Sequence, residues 1–448
     1  MSHDLAAWAG LDALLSRFRP ETPFGRAAKV RGAVLASRAA LERRWDLTDA
    51  ALGLLEALDG DRVRHDRIRH HLGRLPRFPL EARGAFDEVE LFQLKKFLFN
   101  HAALLALLPG GLPARFGLEP LPAALLELLG RGRQGDETFH LADAYAPELG
   151  EVRRALREND AAVRSLREAH EEAVRARLGF AFEGRPFLLV PRGRLGEPAA
   201  AADLLEFEPW DAAQLCVRPR PSAEALRLAE ERSALLARER EVEARVLESV
   251  SAPLREALAL LLAQAEAVEA FDLALAGARL AREAGLTRPL LGDGPLRIEE
   301  GRHLPTEELC AAIGAPYTPL DAEFEPGPTV LFGSNMGGKT VVLKTLAFLQ
   351  LAAQSGLFVP ARRFETRLFE TIHYVGEGSA PEEERGLSGF GFEIRRFAEA
   401  HADFEGETLA LFDEFARTTS SREAEALLSA ILEELAARPR AVVLFSTH

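Results

Sequence analysis

A glycine-rich loop near residue 335 sets the strongest constraint on what this chain can fold into. Its eight residues are Gly333, Ser334, Asn335, Met336, Gly337, Gly338, Lys339 and Thr340. They fit the pattern G-x-x-x-x-G-K-[ST] at every fixed position, with an apolar strand predicted at 329–332 and a helix at 341–354. Glycines let the backbone wrap around phosphates, and a helix N-terminus adds N–H donors and partial positive charge. The loop therefore predicts that the chain binds ATP in an α/β domain.

Side chains in and after this loop predict the chemistry at the bound phosphates. Lys339 is expected to reach the β- and γ-phosphates, and the Thr340 hydroxyl to ligate Mg²⁺. A second apolar strand, 409–412, ends in two adjacent acids, Asp413 and Glu414. We expect Asp413 to hold Mg²⁺ through its water shell, and Glu414 to polarise the attacking water as the general base. This intact set favours an ATP hydrolase over a nucleotide-binding scaffold without turnover.

A third strand at 441–445 and a helix at 422–437 complete the predicted ATPase domain. The alternation of buried strands with helices predicts a mostly parallel sheet with helices on both faces. The third strand leads into His448, which we expect to point at the γ-phosphate and take part in catalysis.

The chain as a whole predicts an α+β multidomain protein, with a helical part ahead of the ATPase part. Apolar residues at three-and-four spacing predict a helical lever or core domain over residues 1–180. Residues 181–220 predict a small β-containing insertion, and residues 221–290 predict long lever helices. Residues 291–448 make up the predicted P-loop ATPase domain.

The stretch 222–284 predicts a long amphipathic helix, because Leu228, Leu235 and Val242 lie seven residues apart. Two interpretations stay open. The stripe packs as a coiled coil or lever, or it packs into the core of a single subunit. Pro253 is expected to kink or interrupt the helix.

Charge and composition narrow the partners and the compartment. The net charge of −14 disfavours strong, non-specific binding to nucleic acid. Residues 62–77 are a local exception, with six arginines and three histidines; they form either a solvated helix face or a contact surface for phosphates or an acidic partner. Only two cysteines, no signal peptide and no long apolar run predict a cytoplasmic protein without a membrane segment.

Together these motifs resemble the MutS family, the ABC-type ATPases of DNA mismatch repair and their relatives. The loop at 333–340 is similar to the family's G-P-N-M-G-G-K-S, and its N-M-G-G core is more specific than a generic phosphate loop. Further segments resemble family motifs at 271–276 (D-x-L-x-S-L-A), 301–303 (G-R-H-P), 353–361 (A-Q-x-G-x-F-V-P-A), 413–420 (D-E-x-G-R-G-T-S) and 445–448 (a strand ending in T-H). The resemblance is tight over 265–448 and weaker over 1–264.

The resemblance implies that a second subunit completes the ATP site. Ser388 lies in a segment similar to the family's S-T-F-M-x-E, and it is expected to contact the γ-phosphate held by the opposite subunit. A homodimer, or a dimer with a related subunit, would close on ATP and transmit the closure through the lever helices. Residues 181–220 would be a rudimentary version of the family's DNA clamp.

Several features depart from the family pattern. Roughly 290 residues precede the ATPase part, which implies a short, divergent member without the mismatch-reading domain. Ala416 and Thr418 stand where the family usually has glycine, and the chain ends directly after the third strand, as an ATPase domain truncated at its C-terminus would. The variant motifs are also similar to a MutS-like subunit that reactivates B12-dependent lysine aminomutases.

Two functions therefore stay open. The first is a dimeric ATPase that couples ATP hydrolysis to clamp-like motion on double-stranded DNA, in mismatch repair or recombination. The second is the ATPase subunit of a reactivating factor, whose client is a lysine aminomutase in place of DNA.

Overall fold

The computed structural model describes residues 3–31, 35–78, 84–132, 135, 138–194, 201–334, 337–376, 389–415, 421–438 and 440–447. Its helices are α1 His3–Trp8, α2 Leu11–Arg17, α3 Pro23–Arg31, α4 Arg38–Ala57, α5 Arg62–Arg74, α6 Glu88–Leu107, α7 Leu112–Phe116, α8 Ala123–Leu129, α9 Pro147–Leu178, α10 Ala223–Glu256, α11 Leu258–Ala284, α12 Leu304–Ile313, α13 Lys339–Gln354, α14 Gly389–His401 and α15 Ser421–Leu435. Its strands are β1 Leu188–Pro191, β2 Leu205–Pro209, β3 Gln214–Pro219, β4 Leu290–Leu291, β5 Leu296–Gly301, β6 Leu320–Phe324, β7 Gly327–Phe332, β8 Arg363–Thr366, β9 Thr371–Val375, β10 Thr408–Phe412 and β11 Ala441–Thr447.

These elements form an α+β fold with two compact units. The first comprises Met1–Arg77, Asn100–Pro120 and Leu261–His448; the second comprises Phe78–Phe99 and Leu121–Leu260. Of the helices in the described ranges, none has both the length and the apolar character needed to cross a membrane.

A four-stranded parallel sheet is the centre of the first unit, in the order β7-β11-β10-β9. Its middle strands are buried on both faces, so successive residues enter different cores. Leu409 and Leu411 of β10 face the core that contains α13, whereas Ala410 and Phe412 face the core that contains α15. Burial of both faces explains why these strands read as unbroken apolar runs rather than as an alternating pattern.

The sequence predicted three of the four strands of this sheet and missed β9. Strands predicted at 329–332, 409–412 and 441–445 are confirmed as β7, β10 and β11. Helix α13 starts at Lys339, two residues earlier than predicted, because a glycine in a left-handed conformation caps it directly before the lysine.

A mixed sheet, in the order β4-β8-β5-β6, packs into the same core as α13. Helix α1 also joins this core. The Trp8 indole stacks on the Tyr374 ring of β9 at 3.7 Å between centroids, and the ammonium of Lys344 lies 5.7 Å from the Trp8 ring. The N-terminal helices are thereby part of the same folded unit as the parallel sheet.

Buried polar groups join distant segments of the first unit. The Asp272 carboxylate accepts hydrogen bonds from the backbone N–H groups of Glu21 and Thr22 at 2.9 and 2.8 Å, and from the Thr22 hydroxyl at 2.7 Å. The Glu21 side chain in turn pairs with Arg69 and Arg279, each at 2.9 Å. Asp272 belongs to one of the segments that resemble the MutS family, and its contacts give it a structural role.

The second unit is built on the long helices α9 and α10, which pack along each other. Leu228 and Val242 of the heptad stripe are buried, which favours packing within the subunit for these two residues. Arg153 of α9 pairs with Glu239 and Glu243 of α10 at 3.0 and 2.9 Å, so ion pairs accompany the apolar contact. Helix α10 continues through Pro253, and the break before α11 falls at residue 257 instead.

A three-stranded antiparallel sheet, β1-β3-β2, completes the second unit within the predicted insertion at 181–220. Its own small core contains Val174, Phe182, Leu205 and Val217. The strand predicted at 187–191 is confirmed as β1.

Candidate functional site

The carboxyl ends of the parallel strands bring the predicted site residues to one edge of the sheet. Phe412 at the end of β10 is in register with Phe445 of β11, and Thr447 of β11 is in register with Phe332 at the end of β7. The loops after β7 and β10 therefore leave the same edge, where ligands bind in open parallel sheets.

The described part of the glycine loop is shaped to begin α13. Gly338 has a φ of 80°, in the left-handed region that glycine adopts without strain. The Gly337 N–H donates to the Ser334 carbonyl at 2.9 Å, and the Val342 N–H donates to the Gly338 carbonyl at 3.0 Å. The helix dipole places partial positive charge at this end of α13, which suits it to an anion.

Lys339 is the first residue of α13, and its ammonium group lies within the loop. Its Nζ donates to the carbonyl oxygens of Gly333 at 2.7 Å and Ser334 at 3.0 Å. These acceptors are neutral carbonyls, so phosphate oxygens could replace them with stronger, charge-assisted bonds. The described part of the loop and its lysine form a cationic cradle.

Thr340 and Asp413 meet across this cradle. The Thr340 hydroxyl donates to Asp413 Oδ1 at 3.1 Å, and the Ser446 hydroxyl donates to the same oxygen at 2.7 Å. A hydroxyl beside a carboxylate is an oxygen set that suits a hard cation such as Mg²⁺, which keeps several waters and few protein ligands. Among the described residues there is no group of three or more His, Cys, Asp or Glu side chains that could hold a metal ion.

Glu414 follows in an unusual backbone conformation. Its φ is 55°, a left-handed value that costs a residue with a side chain about 1–3 kcal/mol. Its N–H donates to Ser446 Oγ at 2.8 Å, and the next N–H, of Phe415, donates to the Ser446 carbonyl at 3.2 Å. The hydroxyl and the carbonyl of Ser446, near the end of β11, thus both hold this turn in place.

A cluster of aromatic side chains packs next to this turn. Phe412 and Phe445 stack at 4.8 Å between ring centroids, and Phe415 meets both rings edge-on at 5.5 and 5.3 Å. Phe397 of α14 packs against the same rings. Because Phe415 is buried in this cluster, the residue before it has little freedom to relax.

The structure brings together four of the predicted chemical residues: Lys339, Thr340, Asp413 and Glu414. Of the other predicted site residues, Asn335, Met336, Ser388 and His448 lie outside the described residues.

Sequence reasoning missed Ser446, which is fully buried and contacts both acids of the site. What could have indicated Ser446 in the sequence is a hydroxyl-bearing residue near the end of an otherwise apolar strand.

Two residues from the segments that resemble the MutS family have structural roles instead. The Gln354 side chain exchanges hydrogen bonds with the backbone of Phe369, at 2.9 and 3.2 Å. His303 Nε2 lies 2.9 Å from the Ala9 carbonyl, so this nitrogen carries the proton, and Nδ1 accepts from the Thr306 hydroxyl at 2.6 Å. Burial holds the pKa of His303 below its usual range, which agrees with a neutral ring in that tautomer.

Most of the basic stretch at 62–77 lies in α5, which ends at Arg74. Ile68 and Leu72 anchor the helix in the core, and the Asp61 side chain caps its start by accepting from the Arg64 N–H at 3.1 Å. The exposed residues include Arg62, Arg67, Arg69, His70, Arg74 and Arg77. Val63 is an exposed apolar residue of the helix, 72% accessible, on a face that is otherwise polar.

Comparison with known proteins agrees with the resemblance read from the motifs. Residues 329–448 match the family model described as MutS domain V. An "Endonuclease MutS2" of Halalkalibacterium halodurans is 29% identical over 325 residues, 70% of this chain and 39% of that protein. Another "Endonuclease MutS2", of Thermomicrobium roseum, is 32% identical over 318 residues, 65% of this chain and 38% of that protein. The "DNA mismatch repair protein MutS" of Thermus thermophilus is 36% identical over 177 residues, 40% of this chain and 21% of that protein. The chain thus spans 21–39% of the length of these relatives.

Proposed function

Since the chain belongs to the MutS family, we propose that it binds ATP with Mg²⁺ at the carboxyl edge of the parallel sheet and hydrolyses it. The contact that carries the proposal is the 3.1 Å hydrogen bond between the Thr340 hydroxyl and Asp413 Oδ1, beside the helix end that holds Lys339. A cationic loop and an oxygen pair for a divalent ion at the same place suit a nucleoside triphosphate bound together with Mg²⁺.

Each described residue then has a distinct task. Lys339 exchanges its carbonyl acceptors for β- and γ-phosphate oxygens, and the N–H groups at the start of α13 bind the same phosphates. Thr340 supplies a hydroxyl and Asp413 a carboxylate toward Mg²⁺, which when bound neutralises charge on the phosphates. Glu414 accepts a proton from the attacking water as general base.

The remaining tasks rest on the resemblance. Asn335 and Met336 complete the phosphate loop, Ser388 contacts the γ-phosphate held by the partner subunit, and His448 senses the same phosphate. Because Ser388 would act across the interface, this proposal includes a dimer with two composite ATP sites.

Two substitutions test the nucleotide site. Lys339→Ala should abolish productive ATP binding, because the loop loses its phosphate-seeking charge. Glu414→Gln should bind ATP with wild-type affinity and lose turnover by about 100-fold or more, the usual contribution of a general base. Lys344→Ala, on the same helix beside Trp8, is the matched control and should leave both readouts unchanged. Wild-type ATP affinity in Lys339→Ala would contradict the phosphate-binding role of Lys339. Wild-type turnover in Glu414→Gln would contradict the role of Glu414 as general base.

Mixing two inactive variants tests the composite site. Lys339→Ala lacks a working loop, and Ser388→Ala lacks the group donated to the partner. A mixed dimer rebuilds one intact site from the loop of one chain and the serine of the other. Random mixing should therefore restore about a quarter of wild-type turnover, since half of the dimers are mixed and each has one intact site of two. If mixing restores nothing while dimers form, Ser388 does not act in trans.

DNA is the client that the comparisons favour. The relatives described above are named for DNA mismatch repair or as endonucleases, and none of those three is named for an aminomutase. The exposed face of α5 offers a surface for phosphates, because Arg67, His70 and Arg74 lie three and four residues apart on one side of the helix. A face rich in arginine and poor in exposed apolar residues suits a polyanion better than a protein interface, whose centre is usually apolar.

The salt dependence of DNA binding tests this surface. Each phosphate contact contributes about 0.9 to the slope of log affinity against log salt concentration. The double substitution Arg67→Ala with Arg74→Ala should lower that slope by about 2. Arg43→Ala with Arg115→Ala removes the same charge from exposed positions of α4 and α7 and should leave the slope unchanged. Equal slopes in the two double variants would exclude α5, and a wild-type chain that hydrolyses ATP but binds no DNA at low salt would exclude a DNA client.

A further inference from the structure

A cavity of about 490 Å³ in the second unit is lined by residues 163–171 of α9, the segment before β1, and the segment from the end of β3 to the start of α10. Its walls are mainly carbon, from side chains that include Val163, Leu166, Phe182 and Pro221. The volume is within the range of sites that bind small organic molecules. A largely apolar wall favours a ligand with an aliphatic or aromatic body.

The polar groups of this cavity point to the charge of its ligand. Arg167, Arg185 and Arg220 contribute to the lining, with Glu171 as the acid among them. Glu171 already accepts a hydrogen bond from the Gly184 N–H at 3.3 Å. Among the described residues, no carboxylate pairs with Arg167 or Arg185, and Arg220 reaches Glu206 only at 3.9 Å. The cavity therefore carries uncompensated positive charge.

His170 also contributes to the lining, through atoms other than Nε2. Its Nε2 atom has no accessible surface and no hydrogen-bond partner among the described residues, so this nitrogen does not face the cavity. The arginines are therefore the groups that would meet the charge of a ligand.

We propose that this cavity binds a small amphipathic anion, with an apolar body against Leu166 and Phe182 and an acid group between Arg167 and Arg185. A carboxylate, a sulfonate or a phosphate ester would each satisfy the arginines through charge-assisted hydrogen bonds. The site is separate in its residues from those proposed for ATP, because every lining residue belongs to the second unit.

Fluorescent probes matched in shape but not in charge test the proposal on the full chain. Anilinonaphthalene sulfonate carries an acid group on an aromatic body, and N-phenylnaphthylamine is its neutral counterpart. The folded chain should bind the anionic probe saturably and about tenfold more tightly than the neutral probe, the difference expected for a charge-assisted pair. Dodecanoate should displace the anionic probe, and dodecanol should do so poorly.

Variants locate the binding. Arg167→Ala with Arg185→Ala should lower the affinity for the anionic probe about tenfold and leave the affinity for the neutral probe unchanged. Arg157→Ala with Arg164→Ala removes the same charge from exposed positions of α9 outside the lining and should change neither affinity by more than about twofold.

Filling the cavity should abolish the binding of both probes. Leu166→Trp places a larger side chain in the lining, and Ala169→Phe does the same from the next turn if the first variant does not fold, as checked by circular dichroism. The proposal is overturned if the probes bind equally, if the two arginine pairs behave alike, or if folded, filled variants bind as wild type does. Absence of saturable binding to the wild-type chain overturns it as well.

Discussion

Removing the Ser446 hydroxyl should separate the stability of the proposed ATP site from its activity. Ser446 Oγ is fully buried, donates to Asp413 at 2.7 Å and accepts from the Glu414 N–H at 2.8 Å. In Ser446→Ala the Asp413 carboxylate keeps the Thr340 hydroxyl at 3.1 Å, whereas the Glu414 N–H loses its acceptor. We therefore treat Ser446 as a positioning residue, which acts through the two acids.

The size of the effect follows from these two bonds. An unpaired buried N–H costs about 1–3 kcal/mol, and a bond to a charged acceptor contributes about 1.5–3 kcal/mol. Relaxation of Glu414 from its φ of 55° returns part of the strain. We expect a net loss of about 2 kcal/mol in local stability, which speeds amide exchange in the peptide containing residues 413–415 by roughly 30-fold. The same relaxation moves the carboxylate of Glu414, so kcat for ATP hydrolysis should fall about 100-fold while ATP affinity changes little.

Thr408→Val is the matched control. The Thr408 hydroxyl is also fully buried in the parallel sheet and donates to the Asp403 carbonyl at 2.7 Å, but it lies at the amino end of β10. The control should lose similar stability and keep wild-type kcat. Ser446→Thr should retain the hydroxyl and part of the activity. If Ser446→Ala lowers kcat no more than Thr408→Val does, the positioning role is wrong, whatever happens to stability.

Four further substitutions test contacts within each of the two units. Burial alone would raise the pKa of Glu21, but hydrogen bonds from its two arginine partners bring it below the ordinary 4.5. The pair therefore stabilises the fold above that pH and weakens as the pH falls further. In urea titrations, Glu21→Gln should cost about 1 kcal/mol near neutrality, with the difference from wild type shrinking below pH 4.5. Gly25→Ala should destabilise the first unit by more than 1 kcal/mol, because a Cβ there collides with the Asp272 carboxylate; Gly53→Ala, with open space around it in α4, should stabilise by up to about 1 kcal/mol, and the opposite order in thermal unfolding would contradict the packing. Arg153→Ala should lower the stability of the second unit by about 1–2 kcal/mol, with a smaller loss at 1 M than at 0.1 M salt.

Local patterns were enough to predict three strands of the parallel sheet and the position of the glycine loop, but not β9. The apolar runs of β10 and β11 are buried on both faces, so composition and strand length alone identify them. Lys339, Thr340, Asp413 and Glu414 follow from those strands, because residues at the carboxyl ends of parallel neighbours meet at one edge.

Contacts between residues far apart in the chain were not predictable in this way. The stack of Trp8 on Tyr374 and the capping of Glu21 and Thr22 by Asp272 join segments more than 240 residues apart, which no local period reveals. The break after α10 falls at residue 257 although Pro253 is the expected breaker, because a proline late in a helix removes a single hydrogen bond and packing can tolerate it. Ser446 was missed for a related reason, since its importance depends on the two acids of the neighbouring strand.

The backbone of Glu414 has a consequence for how this chain could be engineered or could drift. A glycine or asparagine at this position would occupy the left-handed conformation more comfortably, so selection for thermal stability alone would favour replacing the glutamate. Retaining a carboxylate there thus opposes stability, and a library screened only for heat resistance should lose the proposed base early. Because of the φ of this single residue, catalysis and folding stability favour different amino acids at position 414.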